Sequence, residues 1–300
     1  MKLLKIGVVL AMLALMFYLY PPLRLGAMVV AGRSPVCSFR QAVRSEEHSR
    51  RLAFNKNIIL AASKRIQTDD KGFRLWTTPH GDFWIPDGSD YVLPFNLAEQ
   101  ELKIYGSHEL DVQPDDIVLD CGANIGVYTR AALDNGAKLV VAIEPAPENV
   151  ECLRRNFLKE ISQGRVVVYP KGVWDKEDLL TLNVDPKNSA ANSFVIQREG
   201  LQAGVKIPLT TIDKLVEELK LERVSVIKMD IEGAEPKALV GGRGTIARFH
   251  PRLAMSTYHA PDHPWTIPTI VHGIWPGYRV HCGPCTLRGP TIRPDVLIFQ

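Results

Sequence analysis

Four acids and a histidine stand at the ends of apolar runs in this 300-residue chain. Asp120 closes IVLD and opens a loop that carries Gly122 and Gly126. Glu144 closes LVVAIE, 24 residues after Asp120. Asp230 ends VSVIKMD, Glu232 follows it, and His259 follows RLAMSTY. The loop after Asp120 lacks the Gly-Lys-Ser/Thr ending of a phosphate-gripping loop. It also lacks the close G-x-G pair that brings backbone N–H groups to a pyrophosphate. An acid at this point repels a pyrophosphate and suits a cation. Glu144 has the spacing of an acid that takes both hydroxyls of an adenosine ribose. An acid for an ammonium group, glycines for close contact and an acid for ribose together fit S-adenosylmethionine, a nucleoside carrying an amino acid and no phosphate. The competing reading makes Asp120 a helix cap and Glu144 a surface acid.

Alternation along KMDIEG puts Lys228, Asp230 and Glu232 on one face of an extended strand. Asp230 and Glu232 are candidates to hold an acceptor, to act as a base, or to bind a divalent ion. His259 has the pKa range of a base. Glu235 suits the start of a helix. Cys282-Gly-Pro-Cys285, with His272 and His281, does not have the spacing of paired zinc knuckles, so no metal ligands are assigned.

These residues need a frame. Residues 73–93 read as a hairpin and 96–106 as a helix. After Pro114, strands (117–120, 139–145, 166–170, 179–184, 205–212, 224–230, 252–258) alternate with helices (127–133, 147–161, 213–220, 235–242). The helical reading extends to IPTIVHGIW. YRVHC and DVLIFQ close the chain as antiparallel strands. Strand–helix alternation predicts an α/β fold with a parallel sheet covered on both faces. Its ligand lies at the carboxyl ends of the strands, where strand order reverses.

Three blocks, VLDCGANIGVYTRAAL, VVAIEPAPENVECLRRN and VIKMDIEGAEPKALVGG, resemble the core blocks of the FkbM-type methyltransferase family. The resemblance runs from about residue 92 to the end and is strongest in MDIEGAE. It implies the Rossmann-like class I methyltransferase fold, a seven-stranded, mostly parallel sheet with helices on both faces and a C-terminal antiparallel hairpin. It also implies S-adenosylmethionine-dependent methyl transfer, mostly to hydroxyl oxygens of sugars, polyketides or lipids. Carried over, Asp120, Gly122, Asn124 and Gly126 line the methionine part and Glu144 the ribose. Gly172, Val173 and Trp174 lie near the adenine, with plain core packing as the other reading of Trp174. Asp230, Glu232 and His259 are the catalytic candidates. HAPDHPWTIP and the Cys/Pro-rich stretch depart from shorter members, so the acceptor is not fixed.

The net charge of +3 hides an asymmetry. Residues 1–80 hold 13 Lys/Arg against 4 Asp/Glu, which leaves 23 basic and 29 acidic residues for the rest. An acidic body argues against a nucleic-acid groove. The uncharged run 6–20, extended to 23, reaches the lower end of the roughly 17–25 residues that span a bilayer. It reads as an N-terminal membrane anchor over 1–23, with a cleaved signal sequence as the rival. Residues 24–72 then form a basic juxtamembrane segment and 73–300 the methyltransferase domain. Arg24, Arg33, Arg40, Arg44, Arg50 and Arg51 place that domain on the cytoplasmic side of the inner membrane. Five cysteines, an odd number without framework spacing, fit a reducing compartment. Two other function classes compete. A nicotinamide oxidoreductase lacks its glycine fingerprint, and a membrane-tethered nucleoside-binding module would bind without turnover. The sequence carries no sign of the oligomeric state.

Overall fold

The computed structural model describes residues 2–197 and 199–300, without the side chains of residues 2–5, 8–10, 13 and 14. Its centre is a seven-stranded sheet. The strands are β1 (Ile117–Cys121), β2 (Leu139–Ile143), β3 (Val166–Tyr169), β4 (Val226–Met229), β5 (Arg252–Ser256), β6 (Val280–Cys282) and β7 (Val296–Phe299). Their order across the sheet is β6-β7-β5-β4-β1-β2-β3. Only β7 runs against the others, pairing antiparallel with β5 and β6. This is the expected α/β architecture with its reversed closing hairpin. The inner strands are apolar on both faces because helices cover both, and Val118, Leu119, Val140, Val141, Ile227 and Leu253 are fully buried. The chain leaves β1 toward β2 and β3, then crosses to β4 on β1's other side. The reversal therefore opens a crevice at the carboxyl ends of β1 and β4.

Two expected strands do not join this sheet. Asp178–Val184 pairs antiparallel with Gln202–Thr210, which pairs with Gly172–Val173 in a separate three-stranded sheet. Both are mostly exposed or half-buried along their length, unlike the central strands. Such strands pack one face and leave the other in water. The predicted helix over 147–161 breaks into Pro147–Asn156 and Leu158–Ser162, because Phe157 turns inward and is fully buried. The helix expected over 96–106 runs instead over Val92–Glu101.

The N-terminus differs most from expectation. Lys2–Leu19 is helical, Tyr20 is extended, and Pro21-Pro22 start a second helix that ends at Val30. Proline suits a helix's first turn and cannot continue the one before it. Among the described residues no helix is long and apolar enough to cross a membrane. The single-pass anchor over 1–23 is therefore not supported, although Lys2, Lys5 and eight of the segment's apolar side chains fall outside the described ones. The second helix is tied to the body, since Leu25 packs with Cys37, Ala42, Cys285 and Ile292. Cys37 and Cys285 form a disulfide across 248 residues, and Cys121, Cys152 and Cys282 are free. The pairing removes the cysteines' support for a reducing compartment. Ser45–Ala62 forms a helix that lies on Val92–Glu101, with Ile59 buried among Phe83, Ile85, Leu93 and Leu97.

Gly126 shows how closely the loop after β1 is packed. Its φ is +94°, and a Cβ there would lie 2.2 Å from the Phe157 ring. Gly126→Ala combines left-handed strain with overpacking and is expected to cost about 2–4 kcal/mol. Urea unfolding measures it, and a change under about 0.5 kcal/mol, the usual size at an indifferent surface position, would mean that the contact is relaxed in solution.

Candidate active site

The loop Gly122–Gly126 leaves β1 beneath the end of β4. Gly122 has φ +78°, and a Cβ there would lie 2.0 Å from the Asp230 carbonyl oxygen, so only glycine lets the two strand ends cross this closely. Beneath the loop, Lys228 on β4 stands opposite Asp120 on β1. Its Nζ lies 3.1 Å from Asp120 Oδ1 and donates to the Gly122 carbonyl at 2.8 Å. Thr129 Oγ1 donates to Asp120 Oδ2 at 2.7 Å. Asp120 is fully buried and lines neither cavity of the site; its charge is spent on Lys228 and Thr129. Burial works against the Lys228 charge, but Asp120 and Asp230 outweigh it and raise its pKa.

Two cavities flank the loop. The smaller, about 50 Å³, is lined by Glu144, Gly172, Val173, Ile231, Asn192 and Phe194 among others. Glu144 Oε2 accepts from the Asn124 N–H at 2.8 Å, and Oε1 from the Ala146 N–H at 2.9 Å and Asn149 Nδ2 at 3.2 Å. Burial nevertheless pushes Glu144 up to about 7. Asn124, at φ +51°, lines both cavities, and neither atom of its amide has a hydrogen-bond partner among the described residues. Trp174 lines neither; its ring lies 5.8 Å from Lys237 Nζ.

The larger cavity, about 570 Å³, holds the catalytic candidates Asp230, Glu232 and His259 together. Tyr105 donates to Asp230 Oδ2 at 2.7 Å and Tyr258 to Oδ1 at 3.1 Å. Burial opposes the Asp230 charge, but His259 and Lys228 outweigh it and hold the carboxyl below its usual range. His259 Nδ1 lies 2.9 Å from Glu235 Oε1, while Nε2 lies 3.3 Å from Glu232 Oε1 and 3.4 Å from Asp230 Oδ1. Burial disfavours an imidazolium, yet these carboxylates outweigh it and raise His259 well above its usual value.

Sequence reasoning gave no role to Tyr105, Tyr258, Lys228 or Glu99. Glu99 lines the larger cavity from the helix Val92–Glu101, and burial with the Asp230 charge pushes it well above the carboxylate range. Glu99 lies on the helix and Tyr105 just beyond its end, in a segment whose apolar spacing masked them. Lys228 was visible only as one member of an alternating strand face.

A family model described as the methyltransferase FkbM domain matches residues 120–272, just over half of the chain. The chain belongs to the FkbM methyltransferase family. Two curated relatives and a solved structure are similar to it. The 31-O-demethyl-FK506 methyltransferase FkbM of Streptomyces tacrolimicus is 25% identical over 166 residues, 46% of this chain and 64% of that protein. The hexuronic acid methyltransferase AglP of Haloferax volcanii is 28% identical over 131 residues, 44% and 52% respectively. The chain thus spans between half and two thirds of the length of these relatives. A crystal structure of methyltransferase FkbM from Methylobacillus flagellatus KT is 19% identical, with a TM-score of 0.45 over 85% of this chain and 60% of that one. FkbM-family membership implies S-adenosylmethionine as cofactor. The unpartnered Asn124 amide, within the glycine loop, and the buried Glu144 carboxyl beside it fit such a ligand.

Glu144 gives the FkbM-family site a pH signature. Its folded pKa, about 7, lies above the ordinary 4.5. The stability linked to its proton is therefore complete below about 4.5 and is lost as pH rises through 7. Ribose hydroxyls would donate to the ionised form, so if Glu144 meets the ribose as the sequence leads one to expect, binding of S-adenosylhomocysteine should strengthen by up to about tenfold between roughly pH 6 and 8. Calorimetry measures this, and Glu144→Gln should flatten the dependence. An equally steep dependence in that variant would place the titrating group elsewhere.

Proposed function

We propose that the chain transfers the methyl group of S-adenosylmethionine to a hydroxyl oxygen of a small acceptor, a sugar, lipid or secondary metabolite. The supporting observation is that the two cavities meet at Gly122, Asn124, Asp230 and Glu232. A nucleoside beside Glu144 and Val173 would have its amino-acid end at that junction, with the larger cavity beyond it for an acceptor. When bound, the donor supplies a methyl group on a sulfonium, which is already reactive toward an oxygen lone pair. The chain's part is alignment, worth about 7–11 kcal/mol at best, and proton removal, worth about 100- to 10,000-fold.

In this reading Glu144 takes the ribose and the Asn124 amide the amino-acid end. Asp120 acts through Lys228, which fixes the loop carbonyls. Asp230, oriented by two phenols, receives the acceptor hydroxyl. As the acceptor oxygen bonded to the methyl carbon, the carbon–sulfur pair would return to sulfur and the hydroxyl proton would pass to a carboxylate. We assign that carboxylate to Glu99 in its ionised form rather than to His259, because Glu99 faces the cavity with a raised proton affinity while both His259 ring nitrogens are already turned to carboxylates. Relatives named for an O-demethyl compound and for a hexuronic acid support a hydroxyl acceptor. A nicotinamide reading has no glycine fingerprint to rest on.

The test is calorimetry of the full chain with S-adenosylhomocysteine, followed by an acceptor screen with labelled methyl donor. Binding without turnover on any hydroxylated acceptor would favour a binding module. With an acceptor in hand, Glu99→Gln should lower kcat about 100-fold or more and leave donor affinity intact. An unchanged kcat would remove Glu99 from proton transfer.

A further inference from the structure

Three buried polar atoms near the end of β4 lack hydrogen-bond partners among the described residues: Glu235 Oε2, His259 Nε2 and His263 Nδ1. The side chain of Glu235 is fully buried, and those of His259 and His263 are 3% and 5% exposed. Such atoms are costly unless water or an ion meets them. They converge with Asp230, whose side chain is 22% exposed and opens on the larger cavity. One ligand atom from each of Asp230, Glu235 and His259 lies within 4.8 Å of the other two.

We propose that Asp230, Glu235 and His259 form a binding site for a divalent transition-metal ion. Ligand atoms about 2.0–2.2 Å from a common ion stand roughly 3–4 Å apart. His259 Nε2 and Asp230 Oδ1, 3.4 Å apart, already meet this, and Glu235 brings an oxygen that accepts no hydrogen bond and lies 3.6 Å from His263 Nδ1. Charge agrees. Asp230, Glu232 and Glu235 all face His259, and the nearby cation Lys228 is engaged by Asp120 and the Gly122 carbonyl. One imidazole with carboxylates suits Mn²⁺, Fe²⁺ or Zn²⁺ better than a calcium-type all-oxygen cage. The ligands are graded in depth, with Glu235 and His259 at the back and Asp230 at the cavity wall. The ion's open positions therefore face the cavity, the arrangement of a catalytic rather than a structural metal site. In the proposed methyl transfer those positions would take the acceptor oxygen. Only this last role rests on that reading.

The probe is Mn²⁺ added to the chelator-stripped full chain and followed by electron paramagnetic resonance. The expected result is one bound ion per chain with nitrogen hyperfine coupling from a histidine. Asp230→Asn and Glu235→Gln should each weaken binding tenfold or more. S-adenosylhomocysteine calorimetry on the same samples reports separately on the fold and the nucleoside site. Intact nucleoside binding with no Mn²⁺ bound to the wild-type chain overturns the metal site and leaves the methyltransferase reading standing. Bound Mn²⁺ without nitrogen coupling, or with affinity unchanged in both variants, overturns it as well. Should a variant fail to fold, the wild-type coupling decides.

Discussion

The buried pair between Lys228 and Asp120 is the constraint on which the site depends. The two residues stand opposite each other in neighbouring parallel strands, at the point where strand order reverses. Each is almost completely buried, so neither could be charged there alone without a penalty of several kcal/mol. Together, with the Thr129 hydroxyl and the Gly122 carbonyl, they satisfy one another. Lys228 thereby pins the first carbonyls of the glycine loop to β4. The close crossing of Gly122 over the Asp230 carbonyl follows from this attachment. An apolar pair of similar volume could match the stability but not the direction of the loop.

From that anchor the charge pattern builds outward in alternating sign. Asp120 faces Lys228, Lys228 approaches Asp230, Asp230 approaches His259, and His259 lies between Glu232 and Glu235. Each charge is held by neighbours of the opposite sign, which is how a low-dielectric wall can carry so many ionisable groups. The pattern also separates the carboxylates into different tasks. Asp230 is kept ionised by cations and phenols, whereas Glu99 and Glu144, with fewer compensating charges, are pushed toward neutrality by burial. Divergent pKa values among carboxylates in one cleft are a sign of divided acid and base roles.

Much of this frame was legible in the sequence because it follows from periodicity. β1 to β5 and β7 are short, largely apolar runs, and strand–helix alternation set their arrangement. The ends of those strands also pointed to Gly122, Glu144, Asp230, Glu232 and His259, all of which line the two cavities. What could not be read were side chains set by tertiary contact. Asp120 reads as a ligand by position but is turned inward by Lys228. Tyr105 and Tyr258 reach Asp230 from 125 and 28 residues away, distances over which no local pattern speaks. The Cys37–Cys285 disulfide is equally non-local, and spacing alone gave it no signature.

The strained residues follow the same division. Gly122 and Gly126 are at positive φ, as are Asn124 and Glu232, where a side chain raises the cost. A non-glycine residue in this region costs about 1–3 kcal/mol and persists only where its surroundings over-determine it. For Asn124 that support is the Glu144 carboxylate, which holds its backbone N–H at 2.8 Å. For Glu232 it is Ser193 Oγ, which donates to its carbonyl at 2.7 Å. Each support comes from a different part of the chain, β2's end in one case and the stretch beyond Asp178–Val184 in the other. The two strained side chains both face the junction of the cavities. Glycine at either position would relieve the backbone and remove the side chain from the site. That both positions keep a polar side chain at such a cost is the local mark of a surface shaped for a ligand rather than for stability.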